Sequence, residues 1–364
     1  MRILSVVDGI GWGGTKEQVY LLARELSKTA IETHMALSFE YTQMVEKLKE
    51  YGIKFHFFEH HHKLSRYSPA NYYRLWKIIK ENAFHVVLAN SPHAFDYVRL
   101  VYPFLHKKPK LVVVKRSARV PNRMSLKFKY AYADMVVAVS PAVKENLVRA
   151  GFPEQKVCVI ESGIDTQRFR PDPLLGTQMR EKLRIPLDAK VFINVANWNP
   201  KVKAQDRLIE TFSKLSCRNC YLILVGIDTN HYAPKLAEKH GVKDRVLALG
   251  FREDVEALLN ASDFFVLSSY LEGVSNALLQ AMACGKVVLS TKAGGIGQVI
   301  KDGENGFLVD VGDFDHLLKK MQRAIELSNE EIKKLSTLAV KTAEQFSISI
   351  TAGKYQDLFK RFFP

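Results

Sequence analysis

The sequence predicts an α/β protein built as two successive, doubly wound parallel sheets. Three observations carry this. Short apolar runs alternate with segments of helical period through the first half of the chain, the pattern of strands and helices wound in turn onto one sheet. The alternation breaks at 162–173, a stretch with glycine and prolines and no apolar period, which reads as the approach to an interdomain linker. It then restarts beyond residue 190. At 364 residues the chain is long enough for two domains of ordinary size.

The elements follow in order. Ile3–Val7 reads as a strand. Val19, Leu22, Ala23 and Leu26 stand at i, i+3, i+4 and i+7, one face of a helix. His34–Phe39 is the next strand, and Val45 and Leu48 mark a helix that Gly52 ends. Ile53–Phe58 is a strand and Tyr72–Ile79 a helix; His85–Ala89, Leu111–Lys115, Met135–Val139 and Lys156–Ile160 are further strands. In the second half the strands are Val191–Ala196, Tyr221–Val225, Val246–Leu249, Asp263–Leu267 and Lys286–Leu289. The final stretch is helical and aromatic, with Tyr355, Phe359, Phe362 and Phe363. The expected division is 1–168, 169–345 and a terminal helix over 346–364.

Hydrophobic content of 47% fits a soluble globular chain. No apolar run approaches the ~20 residues that span a bilayer. The start, Met-Arg-Ile-Leu-Ser, reads as a charged residue and a short strand rather than a signal peptide. A cytoplasmic chain is expected, peripheral at most on the inner face of the cytoplasmic membrane. Four cysteines do not make a disulfide scaffold. Cys217-Arg-Asn-Cys220 precedes a strand instead of opening a helix, so the pair is read as ordinary cysteines.

Lys and Arg exceed Asp and Glu by 15, a property that bears on partners and not on fold. The excess is uneven. Between Asp96 and Asp134 there is no acid, yet there are ten bases: Arg99, Lys107, Lys108, Lys110, Lys115, Arg116, Arg119, Arg123, Lys127 and Lys129. Tyr97, Tyr102, Phe104, Phe128, Tyr130 and Tyr132 are interleaved. Such a face suits an anionic membrane, an anionic acceptor, or simple solvation. Nucleic acid is the weakest reading, because no DNA- or RNA-binding motif accompanies the charge.

One stretch organises the rest. After the strand at 263–267 comes Glu272-Gly-Val-Ser-Asn-Ala-Leu-Leu and then Gln280. Leu278, Ala281 and Met282 fall at helical spacing, so a helix begins near Asn276, capped by Ser275 or Asn276. The unit is strand, glycine-containing turn, helix, strand. Free N–H groups at such a helix start face the carboxyl end of the sheet and attract anions such as a diphosphate. Glu272 sits in the turn beside them. A carboxylate there is suited to polyhydroxyl groups; the plainer reading is a solvated turn acid.

The run from Ser268 to Val288 resembles the signature of retaining glycosyltransferases of family 4. That resemblance implies the GT-B fold, two Rossmann-like domains with an interdomain cleft. It implies an acceptor-binding first domain, a nucleotide-sugar-binding second domain, and a last helix that crosses back to the first. The family pattern has two glutamates separated by seven residues, the first on the donor sugar and the second on the nucleotide ribose. Glu272 matches the first. The second is Gln280, whose amide still hydrogen-bonds hydroxyls but without charge assistance. Gly273, Val274, Ser275 and Asn276 then line the diphosphate.

Further positions take meaning from the same resemblance. Asn197-Trp-Asn-Pro-Lys-Val-Lys203 ends a strand where the family places an Arg and then a Lys on the diphosphate. Lys203 matches the Lys and would open the following helix; the Arg position holds Asn197, and Lys201 is the nearest replacement. Phe251 and Arg252 follow another strand end, where relatives hold the nucleobase. Gly9-Ile-Gly-Trp-Gly-Gly has four glycines in six residues and follows the first strand. It resembles the family's first glycine-rich loop, which implicates Gly13 and Gly14; by spacing alone it is a weak dinucleotide match. Many relatives have a His near the reacting carbon where this chain has Asn90, with His93 three residues on. Ala293-Gly-Gly-Ile-Gly-Gln resembles a family turn that shapes the cleft. Three consecutive imidazoles at 60–62 cannot all face one metal, so no metal site is expected.

The expectation is therefore a metal-independent retaining glycosyltransferase with no cofactor beyond its donor, a UDP-, GDP- or ADP-sugar. Its acceptor would be an anionic or lipid-linked envelope saccharide of lipopolysaccharide type. Catalysis would rest on Glu272, Lys203, Asn90 and His93, with closure of the domains on donor binding. The alternatives are a nucleotide-sugar epimerase, a non-catalytic nucleotide-sugar-binding protein on the same scaffold, and a dinucleotide-dependent oxidoreductase resting on the glycine loop alone.

Overall fold

The computed structural model describes residues 1–116, 120–122 and 124–363. Arg119 and Arg123 of the basic stretch lie outside them. The chain forms two compact units, one of Met1–Gly163 with Ile348–Pro364, the other of Ile164–Ser347. The unit boundaries thus fall after 163 and 347, where sequence placed them after 168 and 345.

The first unit runs β1 (Arg2–Val6), α1 (Gly14–Ser27), β2 (Glu32–Ser38), α2 (Thr42–Leu48), β3 (Lys54–Glu59), α3 (Pro69–Glu81), β4 (Val86–Ala89), α4 (Pro92–Val101), β5 (Lys110–Lys115), β6 (Met135–Ala138), α5 (Pro141–Arg149) and β7 (Val157–Val159). Its sheet has the order β3-β2-β1-β4-β5-β6-β7 and its pairs are parallel. Helices on both faces leave the central strands no wet side, which is why β4 and β5 read as unbroken apolar runs. Helix starts are set locally. Ser91 and Ser140 cap α4 and α5 through their hydroxyls, each followed by proline at the first helical position.

The second unit runs α6 (Pro173–Leu183), β8 (Lys190–Val195), α7 (Pro200–Lys203), α8 (Gln205–Ser213), β9 (Cys220–Val225), α9 (Thr229–Lys239), β10 (Val246–Gly250), α10 (Val255–Asn260), β11 (Phe264–Leu267), α11 (Asn276–Ala283), β12 (Val287–Thr291), β13 (Phe307–Val309), α12 (Phe314–Ile325) and α13 (Asn329–Glu344). Its sheet order is β10-β9-β8-β11-β12-β13, again parallel. The chain then enters α14 (Ile348–Arg361), and Ala352, Tyr355, Leu358 and Phe359 join the buried core of the first unit. Gln18 of α1 secures the end of that unit's first segment: its amide donates to the Gly163 carbonyl at 2.6 Å and accepts from the Gly163 N–H at 2.9 Å.

Three expectations need correction. Cys217 and Cys220 are joined in a disulfide with a Cα separation of 5.6 Å, so they are not free thiols. Three residues of separation bring two Cys together when the intervening turn folds back, and nothing in the flanking periodicity announces that. Lys203 closes the short α7 and does not open α8, because Ala204 takes a left-handed conformation (φ 52°) that breaks the helix before Gln205. The basic stretch is thinner at the surface than its count implies. Lys115 is buried and Arg116 half-buried, and Lys129 and Arg99 share Asp96. Lys107, Lys108 and Lys127 remain exposed beside Phe104 (72% exposed), Met124 and Phe128.

Two imidazoles sit under the edge of the first sheet. His34 Nδ1 and His56 Nε2 are 2.8 Å apart, so one ring donates and the other accepts. Burial lowers the proton affinity of both below 6.5. Unfolding lets each take up a proton as pH falls through 6.5, while the folded pair resists it, so this contribution is full above 6.5 and lost below. Hydrogen bonds from Lys54, Arg2 and His34 hold Glu32 at about 2; its contribution is full above the ordinary value of 4.5, is lost between there and about 2, and does not overlap. We predict that the melting temperature falls between about pH 8 and about pH 5.5. The drop shrinks in His56→Gln. Alkylation of the denatured, unreduced chain should label two of the four cysteines, Cys158 and Cys284.

Candidate functional site

In open α/β sheets ligands sit beyond the carboxyl ends of the strands where the winding direction reverses. Each unit has one such point: between β1 and β4 in the first, and between β8 and β11 in the second.

In the second unit, β8 and β11 pair over only two positions, Phe192 with Phe264 and Ile193 with Phe265, and then diverge. Asn194 spans the gap, its Nδ2 donating to the Val266 carbonyl at 2.8 Å. Past the strand ends the two loops are joined. Tyr270 N–H donates to the Val202 carbonyl at 2.8 Å, and Ser268 Oγ to the Lys203 carbonyl at 2.9 Å. This brings Lys203 against Glu272 across 69 residues of sequence, Nζ to Oε1 at 2.6 Å. Ser269 Oγ donates to the same oxygen at 2.7 Å, and its own carbonyl is held by Thr291 Oγ1. The Glu272 side chain is 8% exposed and that of Lys203 27%. A carboxylate so paired presents little net charge, so an anion can lie nearby without strong repulsion.

Helix α11 starts as the sequence indicated. Ser275 is its cap, accepting from the Leu278 N–H at 3.4 Å, and Asn276 is its first residue. Gly273 and Val274 form the turn, and the Gly273 carbonyl accepts from the Gly295 N–H. Gln280 lies one turn into α11, half-buried, with no hydrogen bond from its amide among the described residues. Behind the turn stands Gly294 at φ 58°, where an added Cβ would run into the Glu272 carbonyl oxygen. The sequence placed that glycine pair in a turn that shapes the cleft, by resemblance alone, and Ser269 drew no notice there. Gly294 is 22 residues from Glu272, and no local pattern links them.

Two other residues of this unit differ from expectation. Asn197 Oδ1 accepts the Ile227 N–H at 3.0 Å, so this side chain joins the loops after β8 and β9. Arg252 lies against Asp254 two residues on, Nε to Oδ1 at 2.8 Å, and its guanidinium is committed there. Phe251 is exposed beside it. Gln205, unremarked in the sequence, is fully buried and donates to the Asn197 carbonyl at 2.9 Å. Lys201 is exposed. A cavity of about 970 Å³ in this unit lies at the amino edge of the sheet, lined by Asp263, Cys284 and Lys286, away from this cluster.

In the first unit the glycine-rich loop leaves β1. Gly9 and Gly11 have positive φ, 65° and 84°, so the loop needs them. Gly13 is extended and caps α1 without a side-chain bond, Gly14 opens the helix, and the space around Gly13 is open. Three groups fix the loop. Buried Glu59 accepts the Gly9 N–H at 2.8 Å, along with Ser38 Oγ and the Tyr97 hydroxyl. Tyr41 donates to the Gly11 carbonyl, and Lys16 reaches the Asp8 carbonyl. Asn90 does not face an open crevice. It is 1% exposed, and its Nδ2 donates to Ser5 Oγ at 2.8 Å. His93 is exposed on the first turn of α4, and its Nδ1 accepts from Arg66 at 2.8 Å, so its proton is on Nε2.

Comparison with known proteins adds the following. Residues 12–168 match the family model described as Glycosyltransferase Family 4, and residues 177–342 the one described as Glycosyl transferases group 1. EpsD of Bacillus subtilis is 30% identical over 65% of this chain and 63% of its own length. The lipopolysaccharide core biosynthesis glycosyltransferase LpsE of Rhizobium meliloti is 30% identical over 58% of this chain and 59% of its own. The chain thus spans under two thirds of either relative. The crystal structure of Anabaena HepE in complex with UDP superposes with a TM-score of 0.84 at 22% identity, covering 99% of this chain and 100% of that one. The GT-B fold is shared.

The wall behind Glu272 gives a direct test. Gly294→Ala should destabilise the second unit by roughly 1–3 kcal/mol, the cost of forcing a methyl into a filled space. Gly297→Ala, where the space is open, should melt as wild type does. Thermal denaturation of the two variants reads the difference.

Proposed function

Because this chain belongs to glycosyltransferase family 4, we propose that it moves a sugar, with retention, from a nucleotide diphospho-sugar to a cell-envelope saccharide or glycolipid. The observation that carries the reading is the Lys203–Glu272–Ser269 cluster at the second unit's switch point, beside the capped start of α11. There the diphosphate takes the N–H groups of the α11 start and the ammonium of Lys203, aimed at the charge that develops as the leaving group departs. Glu272 keeps Lys203 and Ser269 on Oε1 and accepts from the donor sugar hydroxyls through Oε2. Gln280 meets the ribose as a neutral partner, and Phe251 flanks the base. The acceptor oxygen forms its bond to the anomeric carbon as the carbon–phosphate-oxygen bond breaks, and the acceptor proton passes to the departing phosphate oxygen. No protein base is then required, nor a divalent metal.

The donor we propose first is a UDP-sugar, since HepE, which shares the fold, is seen with UDP; GDP- and ADP-sugars stand next. The proposed acceptor is anionic or lipid-linked, in keeping with LpsE and with the exposed Lys107, Lys108 and Lys127 beside Phe104 and Phe128. This face also suits peripheral contact with an anionic membrane, where each lysine contributes about 1 kcal/mol. Among the described residues no helix is long and apolar enough to cross a membrane.

Release of nucleoside diphosphate from UDP-, GDP- and ADP-sugars tests the reading. One donor should turn over without added metal and in the presence of EDTA. Glu272→Ala should lower that rate roughly 100-fold by misplacing the sugar. Lys203→Met should cost roughly 100- to 1000-fold, as for loss of one group that stabilises a leaving charge. Failure of every donor to bind in calorimetry would sink the proposal.

A further inference from the structure

The Lys203–Glu272 cluster stands at the carboxyl end of the second unit's sheet. The cavity of about 970 Å³ stands at the amino end of the same sheet, wholly within that unit. Its volume is that of a small-molecule site. The walls are α6, α13 and the turn Cys284-Gly285-Lys286 between α11 and β12. They are fixed in place. Ser336 Oγ of α13 donates to the Gly285 carbonyl at 2.5 Å. Asn260 Oδ1 accepts the Asp172 N–H at 2.9 Å, and its Nδ2 donates to the Arg170 carbonyl at 3.1 Å. Gly176 lets α6 come so close that an added Cβ would meet the Asn260 carbonyl oxygen at 2.5 Å.

One cation in this wall lacks a counter-charge. Lys286 is half-buried, and its Nζ has one hydrogen bond among the described residues, to the Asn260 carbonyl at 3.3 Å. Loss of water lowers its pKa against the pull of Cys284 and Asp263, so neither solvent nor these neighbours make good what burial removes. The neighbours are spent elsewhere. Asp263 Oδ2 takes Arg180 Nη2 at 2.9 Å and the Val191 N–H at 2.8 Å. Burial pushes the Cys284 thiol up to about 12, so it is neutral. Asp172 caps α6 by accepting the Leu175 N–H. Lys341 and Glu344 are exposed on α13, opposite in sign and screened by water. The Arg180 guanidinium also donates to the Ala261, Leu187 and Ala189 carbonyls, so it offers no fork to a ligand. Pro171, Pro173, Leu187 and Val340 make the rest of the wall apolar.

We propose that this cavity binds a small organic carboxylate with an apolar body, its charged group paired with the Lys286 ammonium. A lone ammonium offsets one negative charge. A carboxylate brings one, whereas a phosphate monoester brings up to about two at neutral pH, leaving charge unpaired among prolines and aliphatic side chains. The apolar body takes the place of water along those walls. The inference does not use the transferase reading, and failure of every nucleotide sugar would leave it standing.

The probes are hexanoate and phenylbutyrate, with phenylbutanol as the neutral control and phenyl phosphate as the doubly charged one, followed by ligand-observed NMR. We expect wild type to bind at least one carboxylate, more tightly than either control. In Lys286→Met that affinity should fall roughly 10- to 100-fold, as when a hydrogen bond to a charged group is lost. The melting temperature should not fall, because the change removes a cation without a counter-charge. Wild-type affinity should also weaken as pH rises from neutrality toward 10.5, since burial makes the ammonium give up its proton below that ordinary value. Thr177→Trp, on the exposed side of α6, should fill the cavity and block the carboxylate; it serves as the test if Lys286→Met does not fold. No carboxylate binding by wild type would overturn the proposal, as would equal binding by wild type and these variants. Equal affinity for phenylbutanol would leave an apolar pocket only, and tighter binding of phenyl phosphate would remove the choice of carboxylate. Displacement of the carboxylate by UDP would place it at the carboxyl end of the sheet and likewise overturn the assignment.

Discussion

The ion pair between Lys203 and Glu272 is the constraint on which the second unit's site depends. Two chain segments that diverge at the end of β8 and β11 are held together by it and by the backbone bonds from Tyr270 and Ser268. A mostly buried carboxylate requires a partner, since leaving it alone costs far more than the pair returns. The pair therefore sets where both loops go, and the α11 start follows from that. It also explains how an acid tolerates an anion as neighbour: the lysine has already offset its charge.

The first unit solves a similar problem with different residues. There a glycine-rich loop, unable to hold a shape through side chains of its own, is held by Glu59, Tyr41 and Lys16 from three separate elements. In both units an asparagine sits at the reversal of the sheet, Asn90 and Asn194, with Nδ2 bonded across to the neighbouring strand. Where parallel strands begin to part, a side-chain amide adds a bond across to the neighbouring strand.

Much of this was legible in the sequence because it is local. Apolar runs located every strand but β13 to within a residue or two, and Ser275 before Asn276 marked the helix start. The strand-turn-helix around Glu272 needed no distant information. What the sequence hid depends on partners far along the chain. Gly294 behind Glu272, Glu59 under Gly9 and Ile227 on Asn197 are separated by 22, 50 and 30 residues. Asn197 reads as a missing arginine until the Ile227 N–H that occupies it is seen. Asn90 stands by resemblance near the reacting carbon, yet its amide turns inward to Ser5. Charge counting overstated the basic face, because sequence does not show that Lys115 is buried and Arg116 half-buried, or that Lys129 and Arg99 share Asp96.

The return of α14 to the first unit has a consequence for how the chain is made. The first unit is discontinuous: Tyr355, Leu358 and Phe359 complete a core whose other walls end at residue 163. On a ribosome, where domains fold as they emerge, the second unit is complete in sequence before the first one is. The earlier-made sheet must wait with part of its apolar surface open until α14 is released. Chaperone demand, and sensitivity to any cut between residue 163 and α14, are thus written into the order in which the segments leave the exit tunnel.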